Sequence, residues 1–132
     1  MLLPITLTLA AASALIALWL AVRVGQARHA AKVSIGDGGD PTLVARMRAQ
    51  ANFVEYTPFV LVLVGLIELA RGPQAWLWGV AILYVLARLA HPIGMDRPSP
   101  NALRSGAILV TFVLLLGLAG YGLTIVYAGA HS

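Results

Sequence analysis

Four apolar runs separated by short polar stretches set the pattern of this chain. The first, residues 2–22, carries no charge and is long enough, at about 20 residues, to cross a bilayer. A cleaved signal peptide is the competing reading. It is disfavoured because no basic residues precede the run and because the run exceeds the usual apolar stretch of about 7–15 residues. A retained first helix closed by Arg23 and Arg28 is expected, followed by a polar connection over residues 23–40 in which Arg23, Arg28, His29 and Lys32 extend the end of that helix into the interface. Asp40 before Pro41 reads as an N-cap with proline at the first helical position, so a second helix is expected over residues 41–70. Pro58 should kink it just past Glu55, and Arg71-Gly72-Pro73 should stop it. A third helix is expected over residues 74–91, with Trp76 and Trp78 anchored at an interface. Pro92 and the run Met95-Asp96-Arg97-Pro98-Ser99-Pro100 then read as a rigid loop. A fourth helix starts between Asn101 and Arg104 and runs uncharged over residues 105–130. Gly117, Gly120 and Gly122 within it are expected to let helices approach closely. The fold class is thus an all-α membrane protein, a single domain of four transmembrane helices over residues 1–132.

Composition agrees and narrows the choices. Of 132 residues, 60% are hydrophobic and 11% charged; soluble domains carry about 25% charged residues. Mean hydropathy is +0.87. The absence of cysteine excludes disulfides, thiolate metal sites and a cysteine nucleophile. The histidines are scattered, with no pair at ligand spacing, so no metal site is expected. The net charge of +4 resides beside the apolar runs, where it signals topology rather than nucleic acid. Every Lys and Arg except Arg71 lies in the first and third connections or the helix ends that flank them. That end is expected to face the cytoplasm, with both termini on the outer side.

The second run contains the candidate chemistry. Its uncharged part, residues 56–67, is too short to span alone, so the helix must carry polar groups into or near the headgroup zone. At about 100° per residue, Arg48, Asn52 and Glu55 share a narrow arc, whereas Arg46 points nearly opposite. Ionisable groups at membrane depth are costly and usually face a bundle interior or a water-filled cavity. In the third run Tyr84, Arg88 and His91 also share one face. Together these residues and Arg104 predict a polar site at the cytoplasmic mouth of the bundle. The loop Ile35-Gly36-Asp37-Gly38-Gly39 lacks the Lys-Ser/Thr ending of a phosphate-binding loop and reads as a turn, with Asp37 free to contact a ligand amine.

Three blocks carry a family resemblance. Asp40-Pro41 followed by Arg48-Ala49-Gln50-Ala51-Asn52-Phe53-Val54-Glu55 and Pro58 resembles the second-helix signature of the MAPEG superfamily, the membrane-associated proteins in eicosanoid and glutathione metabolism. Ala87-Arg88-Leu89-Ala90-His91 is similar to the end of that family's third helix, and Leu103-Arg104-Ser105 to the start of its fourth. The glycine-rich loop with Asn-x-x-Glu-Tyr-x-Pro looks most like the bacterial inner-membrane members. The resemblance implies a homotrimer in that membrane, with glutathione as cofactor between subunits near the cytosolic face. It implies Arg48, Asn52, Glu55, Arg88 and His91 as binding positions, and Arg104 and Ser105 near the thiol as catalytic positions. A hydrophobic small-molecule substrate would reach the thiol from the lipid. The sequence departs from other members at Gln50, Ala51, Met95 and Ile108, where some carry His, Arg, Tyr and Tyr, and these departures leave the reaction open. The implied function is a glutathione-dependent transferase or peroxidase acting on hydrophobic electrophiles. The alternative is a non-catalytic protein of the same fold that binds an anionic metabolite or lipid. A channel or transporter ranks last, because acidic groups occur in one span and there is no inverted repeat.

Overall fold

The computed structural model describes residues 2–129, and four helices account for most of them. They are α1 (Pro4–Ala31), α2 (Pro41–Arg71), α3 (Ala75–Met95) and α4 (Ala102–Gly129). All four are long and apolar enough to cross a membrane. The predicted continuation of the fourth helix to Ala130 lies outside the described residues.

The helix ends follow local chemistry. Asp40 caps α2 as expected: its carboxylate accepts from the Leu43 amide at 2.8 Å, with Pro41 next in the chain. α2 stays helical through Pro58. One end extends as expected and another differs from the sequence reading. α1 continues past Arg23 for more than two turns, to Ala31, so Arg23, Arg28 and His29 do extend the helix, the polar residues there being mostly good helix formers. It stops where Lys32 adopts a left-handed conformation, φ 57°, and returns its N–H to the Arg28 and His29 carbonyls. α3 runs through Pro92 to Met95 instead of ending at His91. Proline there removes the hydrogen bond to the Arg88 carbonyl, but Pro92 and Gly94 are both buried, so tertiary packing overrides the local signal.

α1 packs along α2, and α3 along α4; α2 also touches α3 and α4, and α1 touches α3. α1 and α4 do not meet among the described residues. The pair α2 and α3 therefore forms the middle of the bundle. Ile5, Leu9, Val60, Val64, Ile67, Leu77, Ala81, Tyr84 and Leu118 make the main apolar core, nearer the α2–α3 turn. Ile16, Leu20 and Phe53 continue it toward the other end. Lipid is as apolar as these side chains, so close packing and polar contacts hold such helices together, not escape from water.

Two polar contacts pin the ends. At the α2–α3 turn, Glu68 is 2% exposed and serves as the cap that α1 lacks. Its carboxylate accepts from the Ile5 amide at 2.9 Å, the Thr6 amide at 2.8 Å and the Thr6 hydroxyl at 2.8 Å. These amides belong to the first turn of a helix, where no partner exists within the helix itself. At the other end Arg23 pairs with Asp96, joining α1 to the residue that follows α3. The expectation that glycines of α4 mark close helix contacts is not met within this chain. Among the described residues, a Cβ added at Gly117 or Gly120 would meet nothing within 4 Å, and one at Gly122 would meet only Leu63, at 3.9 Å. α4 buries just Ala107, Thr111 and Leu118, a thin stripe one to two turns apart.

Candidate functional site

A cleft opens between α2, α3 and α4 at the end shared by the first and third connections. α2 contributes Arg48, Asn52 and Glu55 from one face, with Ala51 beside them. α3 contributes His91 and Met95, and α4 contributes Arg104 and Ile108. The cavity they line has a volume of about 160 Å³. Arg48 and Glu55 are exposed, Asn52 and Arg104 half-buried, and His91 is 1% exposed. The side chains thus grade from a wet rim to a dry floor.

Behind the floor lies Arg88, also 1% exposed. Its guanidinium donates to Asn52 Oδ1 at 2.6 Å and to Thr111 Oγ1 at 3.3 Å, which ties α3 to α2 and α4 at one level. Thr111 in turn donates to the Ala107 carbonyl at 2.9 Å. The Phe53 ring lies 5.9 Å from the guanidinium carbon, within cation–π range. No carboxylate lies within ion-pair distance of Arg88 among the described residues, and its Nε has no hydrogen-bond partner. His91 Nδ1 is likewise buried and has no partner among the described residues. Buried cations and ring nitrogens normally find partners. The open Nδ1 of His91 makes the floor of the cavity receptive to a polar ligand, with the charge of Arg88 behind it favouring an anion. One turn deeper, Tyr84 Oη and Thr57 Oγ1 share a hydrogen bond at 2.7 Å and close the polar seam.

Arg104 owes its place to an unusually close crossing of α3 and α4. A Cβ on Gly94 would lie 2.5 Å from the Arg104 backbone nitrogen and 2.9 Å from its Cα, so only glycine lets the two helix backbones touch. Asn101 locks this crossing. Its Nδ2 donates to the Gly94 carbonyl at 2.8 Å while its Oδ1 accepts from the Arg104 amide at 3.0 Å, capping α4. The Arg104 side chain reaches Ser99 Oγ at 3.4 Å and otherwise faces the cavity.

The site residues expected from sequence divide into three groups. Arg48, Asn52, Glu55, His91 and Arg104 converge on the cavity. Arg88 stands behind it and orients Asn52. Ser105 and Asp37 lie elsewhere. The Ser105 hydroxyl is exposed and donates to the Asn101 carbonyl at 3.0 Å, since a serine four residues into a helix readily back-bonds to the preceding turn. Asp37 is exposed in the first connection, where its carboxylate accepts from the Gly39 amide at 2.8 Å and shapes the turn. Thr111, Asn101 and Gly94 were missed. Thr111 was legible, being seven residues past Arg104 and so on the same helix face. Asn101 was legible as a cap. Gly94 carried no signal, because only the crossing of two helices distant in sequence demands it.

The model of the MAPEG family matches residues 6–124, which includes every element of this site. The chain belongs to the MAPEG family. This MAPEG chain is 32% identical over 105 residues to the inner membrane protein YecN of Escherichia coli K12, an overlap covering 79% of each chain. It is similar to the same extent to YecN of Escherichia coli O6:H1. Among the residues lining its cavity, Ala51, Met95 and Ile108 supply no hydroxyl or charge. The polar chemistry of the site therefore rests on two guanidiniums, one carboxylate, one amide and one imidazole.

Proposed function

We propose that this protein binds glutathione in the α2–α3–α4 cavity and presents its thiol to hydrophobic electrophiles or peroxides that arrive from the lipid. The observation that carries the reading is the set of cationic and unpartnered groups facing one small space: Arg48 and Arg104 at its walls, and His91 Nδ1 at its floor. Glutathione offers two carboxylates, an ammonium and a thiol. Guanidiniums suit carboxylates through paired, charge-assisted hydrogen bonds. Glu55 suits the ammonium, and Asn52 suits a peptide group. The cavity volume of about 160 Å³ supports a shared site. Pockets for drug-sized ligands run from about 300 Å³ upward, so one chain encloses only part of a tripeptide. The exposed Arg48 and Glu55 then face a neighbouring copy, in keeping with a homotrimer. By the positive-inside rule the cavity opens to the cytoplasm. The likeness to YecN supports placement in a bacterial inner membrane.

A second reading draws on two specific contacts. The Ser105 hydroxyl donates to a backbone carbonyl, and Met95 and Ile108 wall the cavity, so the groups that would assist a thiol are few. These contacts favour a binding protein of the same fold for an anionic metabolite or lipid. Calorimetric titration of the purified protein with glutathione, beside a turnover assay with a generic aryl halide electrophile, separates the readings. Binding with turnover supports the transferase, binding without turnover supports the binding protein, and absence of binding refutes the role of glutathione. Native mass spectrometry in mild detergent reports the trimer in the same preparation.

A further inference from the structure

Asp96 sits at the C-terminal cap of α3, with φ −82° and ψ −6°. A carboxylate is misplaced there on local grounds, because the end of a helix carries partial negative charge and favours cations. Two arginines from other helices compensate. Arg23 of α1 pairs directly with Asp96 Oδ2, and Arg46 Nη2 of α2 lies 3.9 Å from the same oxygen. Arg46 Nη1 also donates to the Arg23 carbonyl at 3.0 Å, and the Trp19 ring lies 5.0 Å from the Arg23 guanidinium. Three helices are thus clasped at one carboxylate. Arg46 is the basic residue that points away from the Arg48 face of α2, so the clasp lies outside the cavity.

The clasped residue is coupled to the cavity by short covalent and packed links. Asp96 follows Met95, which lines the cavity, and lies two residues from Gly94, on which the Arg104 backbone rests. His91 is on the same last turns of α3. A local rule broken in one place and offset by distant partners commonly marks a functional constraint. We propose that the Arg23–Asp96–Arg46 clasp is a positioning device: it fixes the end of α3, and through the Gly94–Asn101 crossing it aims Arg104 into the cavity. The proposal rests on the reading of Arg104 as the partner of a bound anion, but not on that anion being glutathione.

The test uses the full-length protein in native membranes with one cysteine introduced, Ile108→Cys, which lines the cavity of a chain otherwise free of cysteine. The rates of its modification by an anionic and a cationic methanethiosulfonate are compared. One guanidinium about 6 Å away changes the ratio of these rates by about tenfold even in a water-like medium. In Asp96→Asn the ratio of anionic to cationic rate should fall by about threefold or more as Arg104 swings away. The direct effect of removing a carboxylate has the opposite sign, since it leaves the region more positive and raises the ratio. Asp96→Glu should restore the ratio. With Arg104→Ala already present, Asp96→Asn should lower it no further. An unchanged or raised ratio in Asp96→Asn overturns the proposal, as does an equal fall in the Arg104→Ala background. If Asp96→Asn does not accumulate, Arg23→Gln is measured with and without Arg104→Ala: losing the charge of Arg23 itself lowers the ratio in both backgrounds, so a larger fall with Arg104 present supports the clasp, and equal falls refute it. Glutathione titration of the unmodified protein is run in parallel. Failure there with the expected rate ratios removes the glutathione reading and leaves the clasp standing.

Discussion

Replacing Arg104 by alanine is expected to return the thiol of bound glutathione to its ordinary titration while leaving the tripeptide bound. A free thiol titrates near pH 8.5, so little of it is the reactive thiolate at neutral pH. Lowering that value by about two units requires about 2.7 kcal/mol of preference for the anion. A guanidinium about 4 Å from sulfur supplies about 4 kcal/mol at an effective dielectric constant of about 20, enough by itself. Arg104 is suited to this. It is half-buried, and among the described residues its side chain bonds only to the neutral Ser99 hydroxyl and has no carboxylate within ion-pair distance. Its charge is not cancelled before a ligand arrives. The start of α4 adds a smaller favourable field of about 0.3–1 kcal/mol. Arg104→Ala should thus raise the thiol's titration by about two units. Ser105→Ala should move it by less than about half a unit, because that hydroxyl proton is already given to the Asn101 carbonyl. The assay is the ultraviolet thiolate band of the loaded protein followed across neutral and alkaline pH. Wild-type protein that binds glutathione without a thiolate band at neutral pH would refute the reasoning, as would an Arg104→Ala titration that matches wild type.

Three further outcomes are expected. Glu68→Ala leaves the buried Ile5 amide and the half-buried Thr6 amide and hydroxyl without an acceptor, which should lower stability by about 2–4 kcal/mol in reversible unfolding in mixed micelles, with Glu68→Gln milder. Gly94→Ala forces the backbones of α3 and α4 apart, so it should lower stability by about 1–3 kcal/mol and weaken glutathione binding; equal binding isotherms for variant and wild type would count against the role of this crossing. Single cysteines at Asp37 and Pro73 should react with an impermeant maleimide from opposite sides of the inner membrane, the first only when the cytoplasmic side is open, and labelling of both from outside would sink the proposed orientation.

Hydropathy alone specified four helices, because a bilayer leaves few other ways to satisfy a backbone across some twenty apolar residues. The 3.6-residue period placed Arg48, Asn52 and Glu55 on one face, and they do line one cavity with His91 and Arg104. The cap at Asp40 was equally local and equally legible. The continuation of α3 past Pro92 was not, since the residue types there argue for a stop and only burial of Pro92 and Gly94 overrides them. Whether a polar residue serves the site or the scaffold was beyond sequence for the same reason. Arg88 and Arg104 read alike along the chain. Packing makes the first a tie between three helices and leaves the second facing open space. Glu68 and Asp96 are alike in sequence too, as acids near helix ends. One caps the start of α1, and the other gathers two arginines. Periodicity fixes the face a side chain occupies, because it depends on neighbours in the chain. Partnership depends on which helices cross and at what depth, and that is decided only when the bundle closes.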